Sequence, residues 1–153
     1  MCGGLIFKTK SSEKVITVYF PRPYAMIYGV NSDFEFIKAY WGKRDESEFE
    51  KIDVPKIGWA KIESLAKGFW DKYNYKNVFI PAYKYMEKDK NGHSHWFDLK
   101  KEEFIQGILI VKENLNFIYV VTVPSEGDLK KIHDRWVSIV HFNGPKDIIN
   151  VDQ

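Results

Sequence analysis

Apolar and polar residues along this chain change places in short runs, and only a few stretches show helical spacing. Leu5, Ile6 and Phe7 form a brief apolar run, and residues 15–20 are rich in β-branched and aromatic side chains. Both read as strands, joined by a polar turn over residues 8–14. Pro21 and Pro23 should break regular structure after the second run. Ser32 is placed to cap a short helix, because Phe34, Ile37 and Tyr40 or Trp41 recur at helical spacing. Residues 42–51 are strongly charged and predict a surface connection with some helical content. From Trp59 the positions Ile62, Ala66, Phe69 or Trp70 and Tyr73 follow mostly at intervals of three or four, which predicts a helix over at least the second half of that segment. Gly68 opposes it by about 1 kcal/mol relative to alanine.

The second half of the chain is richer in strand signals. Val78, Phe79 and Ile80 begin a strand. If it continues past Pro81, Tyr83, Tyr85 and Glu87 share one face, while Ala82, Lys84 and Met86 share the other. Asn91-Gly92 is the strongest hairpin signal in the chain, with residues 95–99 as the returning strand. Residues 105–112 and 117–123 predict another pair turning near Glu113-Asn114. A helix or turn over 126–132 and a last strand-like run over 136–142 complete the pattern. Many short strands with few helices predict one compact α+β domain over 1–153, built on a mixed, largely antiparallel, barrel-like sheet.

The chain of 153 residues has the size of one domain and enough apolar residues for a real core. Its aromatic share of 16% is high, and these rings can fill a core or line a groove where unpaired bases stack. A net charge of +2 excludes a large positive field for gripping duplex DNA indiscriminately, while leaving room for a local basic groove. No apolar run is long enough to span a bilayer, and the N-terminus lacks the apolar stretch of a signal peptide. The single cysteine can form no internal disulfide, as expected in a reducing compartment. A cytoplasmic protein is the expectation, nucleoid-associated in a bacterium.

That cysteine has a special address. Removal of Met1 would leave Cys2 with an α-amine and a thiol on adjacent carbons, both with reactive fractions near neutrality. The pair can close on an aldehyde carbon as a five-membered thiazolidine, which an internal cysteine cannot do. The same residue can instead attack an ester or amide as a thiolate. An ordinary terminus carrying an incidental cysteine is the plain alternative. Gly3 and Gly4 leave Cys2 unscreened. In Ile132-His133-Asp134-Arg135, His133 can relay protons, Asp134 adds a negative charge and Arg135 can fork onto a phosphate or carboxylate. Glu87 beside aromatic rings is a candidate acid with a raised pKa, or else the start of a polar loop. Glu63 on a helix is a second possible acid, or a locally paired carboxylate. His93 and His95 alternate onto one strand face, but no ligand set of familiar spacing accompanies them, so neither a metal nor another cofactor is expected.

Three anchors together resemble the SOS response-associated peptidase (SRAP) family. They are Met1-Cys2-Gly3; the segment from Ile80 through Pro81, Ala82, Tyr83, Lys84, Tyr85 and Met86 to Glu87; and Ile132-His133-Asp134-Arg135-Trp136. Their order matches the family's N-terminal signature, its Pro-Ala-Asp-Gly-Phe-Tyr-Glu-Trp segment and its Ile-His-Asp-Arg-Met segment. Between them, Trp41-Gly42, the segment Trp59-Ala60-Lys61-Ile62-Glu63, and the apolar run 117–122 resemble further family segments, so the likeness covers residues 1–141.

The resemblance implies a sheet-rich α+β domain with a groove for single-stranded DNA containing an abasic site. It implies self-removal of Met1 and a covalent thiazolidine crosslink from Cys2 to the ring-opened abasic aldehyde. Carried over, Cys2 is the nucleophile, Glu87 the general acid/base and His133 a second proton-transfer group, with Trp59, Lys61, Lys84 and Arg135 contacting DNA and Gly3, Glu63 and Asp134 in support. Departures fall mainly on the DNA grip. Trp59 replaces the family asparagine, Lys61 replaces an arginine and loses its planar fork, Gly4 replaces an arginine, and Tyr83-Lys84 replaces Asp-Gly. A cysteine-dependent peptidase acting on other proteins, and a noncovalent nucleic-acid-binding or structural domain with a degenerate site, are the other readings of the same residues.

Overall fold

In a computed structural model, residues 2–11, 14–20, 22–45, 49 and 51–149 are described. The break expected at Pro21, the removal of Met1, and parts of the segments 8–14 and 42–51 lie outside those residues.

The first two apolar runs are strands β1 (Cys2–Lys8) and β2 (Val15–Tyr19), paired antiparallel as a hairpin. The helix expected after Asn31 is instead a second hairpin, β3 (Met26–Val30) and β4 (Phe36–Trp41). Asn31 decides this, because its Oδ1 accepts the amides of Asp33 (2.9 Å) and Glu35 (3.0 Å) and closes the loop as an Asx turn. The aromatic and β-branched residues that follow then lie in the sheet, and the three helically spaced positions are coincidental.

Trp59 also begins a strand. β5 (Trp59–Lys61) precedes a short helix, α1 (Ile62–Ala66), which ends where Gly68 takes a left-handed φ of +80°. The Phe69 amide returns to the Ser64 carbonyl and the Gly68 amide to Leu65, so the last helical carbonyls are satisfied. A single turn of 3₁₀ helix follows at Asp71–Tyr73. β6 (Lys76–Ile80) and β7 (Lys84–Lys88) are separate strands in different sheets, because the chain breaks at Pro81. β7 turns through the expected Asn91-Gly92 loop into β8 (Ser94–Asp98). β9 (Glu103–Lys112) and β10 (Leu115–Pro124) form the longest hairpin, with Glu113 and Asn114 at φ of +50° and +66° in its two-residue turn. After a 3₁₀ segment at Gly127–Lys131, the final apolar run divides into β11 (Arg135–Val137) and β12 (Ile139–His141). They separate at Ser138, whose amide bonds Val121 on β10 while its carbonyl accepts the Gln106 amide on β9.

Strands β10, β4, β3, β6 and β9 pair in a closed ring, since β10 bonds both β4 and β9. β5, β11 and β12 extend this barrel-like sheet, and a four-stranded sheet in the order β2-β1-β7-β8 stands beside it. Pairing is antiparallel except where β10 meets β4 and β5 and at one isolated bridge. The result is a single compact α+β domain with a mixed, largely antiparallel sheet and few short helices. Its larger core joins Leu5, Phe7, Tyr85 and Trp136 to the inner residues of the barrel strands, while a second cluster gathers Trp70, Ile108, Phe117 and Tyr119. Among the described residues no helix is long and apolar enough to cross a membrane.

Gly42 carries a strict steric demand. At its φ of +54°, an added Cβ would stand 2.1 Å from the Ile57 carbonyl oxygen and 2.9 Å from the Gly58 Cα. Gly92 has a φ of +83° but open space around it. Gly92→Ala is expected to cost about 1–2 kcal/mol from backbone conformation alone. Gly42→Ala should cost at least about 2 kcal/mol more, since backbone atoms must move. Urea unfolding of the two variants checks this, and equal losses would show that the Gly42 corner is not tightly packed.

Candidate functional site

The register of β1 against β7 places Cys2 opposite Glu87, and an irregularity between Cys2 and Gly4 shifts the pairing from there on. Such a bulge re-aims the residue at the strand end. Both Cys2 and Glu87 have 0% exposure, so Cys2 is not left unscreened by Gly3 and Gly4 as the sequence suggested: β1 lies between β2 and β7, and the thiol is packed into the core. The Cys2 thiol donates to the Gly4 carbonyl at 3.4 Å. Burial pushes this thiol up to about 12, and the charge of Glu87 acts in the same direction. The thiol is therefore held protonated at neutral pH. Burial also lifts Glu87 from 4.5 to about 7, which makes it an acid able to give or take a proton near neutrality.

Tyr85 lies two residues before Glu87 and shares its face of β7. Its hydroxyl accepts the Trp136 indole N–H at 2.9 Å, and its ring stacks on Phe97 with centroids 5.4 Å apart. This bond ties the segment carrying His133 to the strand carrying Glu87. His133 sits just before β11, with its carbonyl accepting Ser125 Oγ at 2.7 Å and its Nδ1 accepting the Arg135 amide at 3.1 Å. Burial lowers the His133 pKa, while the charge of Asp134 opposes the shift. A neutral ring whose Nδ1 accepts a hydrogen bond carries its proton on Nε2.

Arg135 and Glu63 meet each other across β10. The guanidinium forks onto the Glu63 carboxylate at 2.7 and 2.9 Å and also donates to the Thr122 carbonyl at 2.8 Å. Arg135 holds Glu63 down to about 2, so Glu63 is ionised near neutrality and serves as the partner of Arg135. Lys61, at the end of β5, is exposed, as is Asp134, whose backbone carbonyl accepts the Ser125 amide at 3.0 Å. Lys84 lies on the opposite face of β7 from Glu87 and pairs with Asp98 at 3.1 Å. His93 and His95 both turn to the Asp89 carboxylate, at 3.6 and 2.8 Å.

Trp59 reaches the centre directly, with its indole N–H donating to the Cys2 carbonyl at 2.7 Å. Its ring packs on Phe20, 4.7 Å between centroids, and the Phe20 amide donates to the Gly3 carbonyl at 3.2 Å. Thus two consecutive carbonyls, those of Cys2 and Gly3, accept hydrogen bonds from two aromatic residues that pack on each other. Beside them lies a groove of about 440 Å³ walled by Tyr19, Phe20 and Trp59, with Gly3 and Met86 lining it and the cations Arg22 and Lys88 contributing charge. Met86 and Lys88 alternate with Glu87 along β7, so groove and carboxyl occupy opposite faces of the strand. Of the groove residues, Gly3, Trp59 and Met86 stand in the segments that the resemblance singled out. Tyr19, Phe20, Arg22 and Lys88 join them through the pairing of β1 with β2 and β7, which no local spacing reveals.

No family model matches the chain, and no curated protein matches it.

The raised pKa of Glu87 fixes a sign for stability. Below about pH 4.5 its carboxyl is protonated folded and unfolded alike; between 4.5 and about 7 only the unfolded chain ionises, so stability falls as pH rises, and above 7 the penalty is complete. Relative to wild type, Glu87→Gln should gain stability across that window, by on the order of 3 kcal/mol between its acid and alkaline ends. Urea midpoints at about pH 4 and about pH 8 measure it. A pH-independent difference would contradict a buried, elevated carboxyl.

Proposed function

We propose that this chain is a divergent SRAP-like protein that captures the ring-opened aldehyde of an abasic site in single-stranded DNA through Cys2, after Met1 has been removed. The observation that carries the reading is the strand register that sets Cys2 opposite a buried Glu87 titrating near neutrality. A buried carboxyl of that kind is costly to a fold and useful to proton transfer. The fully buried thiol, held protonated up to about 12, favours aminothiol chemistry over a thiolate peptidase, which needs an exposed, acidified cysteine.

The step balances without a further reactant. The α-amine of Cys2 adds to the aldehyde carbon, and the carbinolamine loses its hydroxyl as water when Glu87 supplies a proton. The thiol sulfur then adds to the resulting imine carbon while its proton passes to Glu87 or to the imine nitrogen. One C–N and one C–S bond form, and one water leaves. His133, neutral and protonated on Nε2, is the second proton-transfer group. The α-amine exists only once Met1 is gone, so self-processing precedes capture.

The groove beside Gly3 supports the choice of partner. Tyr19, Phe20 and Trp59 offer rings for unpaired bases, and Arg22, Lys88 and the exposed Lys61 offer charge for phosphates. Lys84, two positions before Met86 on the same face of β7, adds a cation already shared with Asp98. A cytoplasmic protein, at the nucleoid in a bacterium, is the setting in which such a partner is met.

Processed protein incubated with abasic and intact single strands is expected to form an adduct with the abasic strand alone, heavier than the protein by the strand minus one water on intact-mass analysis. Cys2→Ala should abolish it, and Glu87→Gln should slow it by about a hundredfold. No abasic-specific adduct from processed protein would end this proposal, and repeated turnover of a separate peptide would favour a peptidase in its place.

A further inference from the structure

The segment after β12 crosses the end of β1 as a strap. The Ile148 amide donates to the Lys8 carbonyl at 2.8 Å, and its carbonyl accepts the Lys10 amide at 3.0 Å. Lys146, only 4% exposed, sends its Nζ to the carbonyls of Lys100 (2.5 Å) and Glu103 (2.6 Å). Asp147 accepts the Tyr83 hydroxyl at 2.5 Å. Beneath the strap is a cavity of about 280 Å³ to which Lys10, Lys101 and Lys146 each contribute, with Tyr83 and Asp147 in its wall. A fourth ammonium, that of Lys8, lies 4.3 Å from the centre of the Tyr83 ring, and that of Lys146 lies 4.8 Å from the same centre.

Among the described residues that line the cavity the charges do not balance: three cations stand against one carboxylate, which the Tyr83 hydroxyl already engages. Neither Lys10 nor Lys101 has a carboxylate partner among the described residues. Burial lowers Lys146 to about 8 and the nearby Lys8 pushes it the same way, whereas Glu103, Glu102 and Asp147 and the two carbonyls favour its charged form. A small anion between the lysines would offset their repulsion, and its oxygens would take charge-assisted hydrogen bonds from ammonium groups.

The geometry points to a binding site for a phosphate-class oxyanion in this cavity, held by Lys10 and Lys101 over the buried Lys146. The site stands apart from Cys2 and does not depend on the aldehyde chemistry. The anion is either free phosphate or a phosphate of a nucleic-acid strand, since both present the same oxygens.

Inorganic phosphate titrated into the full chain at low ionic strength, followed by calorimetry, is expected to bind saturably at one site. Lys10→Gln with Lys101→Gln should weaken it by about tenfold or more, with the phosphate-free urea midpoint not lowered, because both side chains are exposed and their removal relieves repulsion. Absence of saturable binding to wild type, or equal affinity in the double variant, would overturn the assignment. Competition identifies the source: displacement by a 5′-phosphorylated strand alone assigns a strand end, displacement also by a 5′-hydroxyl strand assigns a backbone phosphate, and displacement by neither assigns the free anion.

Discussion

Everything in this fold leans on β10. Residues 117–122 are fully buried on both faces, with Ile118 and Val120 in the larger core and Phe117, Tyr119 and Val121 in the second cluster. A one-residue slip would exchange the two sets between clusters of different shape, so the register is strongly specified. This single strand pairs with β9, β4, β5 and β11. Through β5 it sets Trp59 opposite Val120, and through β11 it sets Trp136 opposite Val123. Trp59 then holds the Cys2 carbonyl and Trp136 the Tyr85 hydroxyl. The Arg135 to Glu63 fork, resting on Thr122, clamps the two flanking segments across the same strand.

The centre so positioned is chemically expensive. A carboxyl at 0% exposure would be among the first residues replaced if stability alone shaped the sheet. Across the sheet it faces Cys2 on β1 and His95 on β8, and Tyr85 on its own face belongs to the apolar core. A local rule broken at this position is the reason the proposed proton transfer is assigned to Glu87. The same burial raises both groups: it brings the Glu87 carboxyl toward neutrality and takes the Cys2 thiol away from its ionised form. An aldehyde trap that begins at an amine tolerates that arrangement, and a thiolate nucleophile does not.

The two faces of the smaller sheet differ in character. On the inner face, Cys2 and Tyr85 join the core and Glu87 is buried opposite Cys2. On the other, Met86 and Lys88 join Tyr19 and Gly3 in the aromatic, cationic groove. Strand alternation alone produces this split, since neighbouring residues of β7 point to opposite sides. Cys2 stands at the strand end, its carbonyl held by Trp59 from the groove wall.

Strands with local signals were legible from the residues alone: the hairpin at Asn91-Gly92, the turn at Glu113-Asn114 and the alternation that put Tyr85 and Glu87 together. These depend on backbone preferences of a few adjacent residues. The sequence also singled out Cys2, Glu87 and His133 as chemically able groups. Only the tertiary structure decided that Asn31 closes a hairpin where Ser32 suggested a helix, that Trp59 begins a strand, and that the last apolar run splits at Ser138. In each case hydrogen bonds to a side chain or a distant strand outweighed a weak spacing preference. The pairing of Arg135 with Glu63, the groove and the lysine cavity were illegible for the same reason. Their members are brought together by register between strands far apart in the chain, and register is set by which faces are buried.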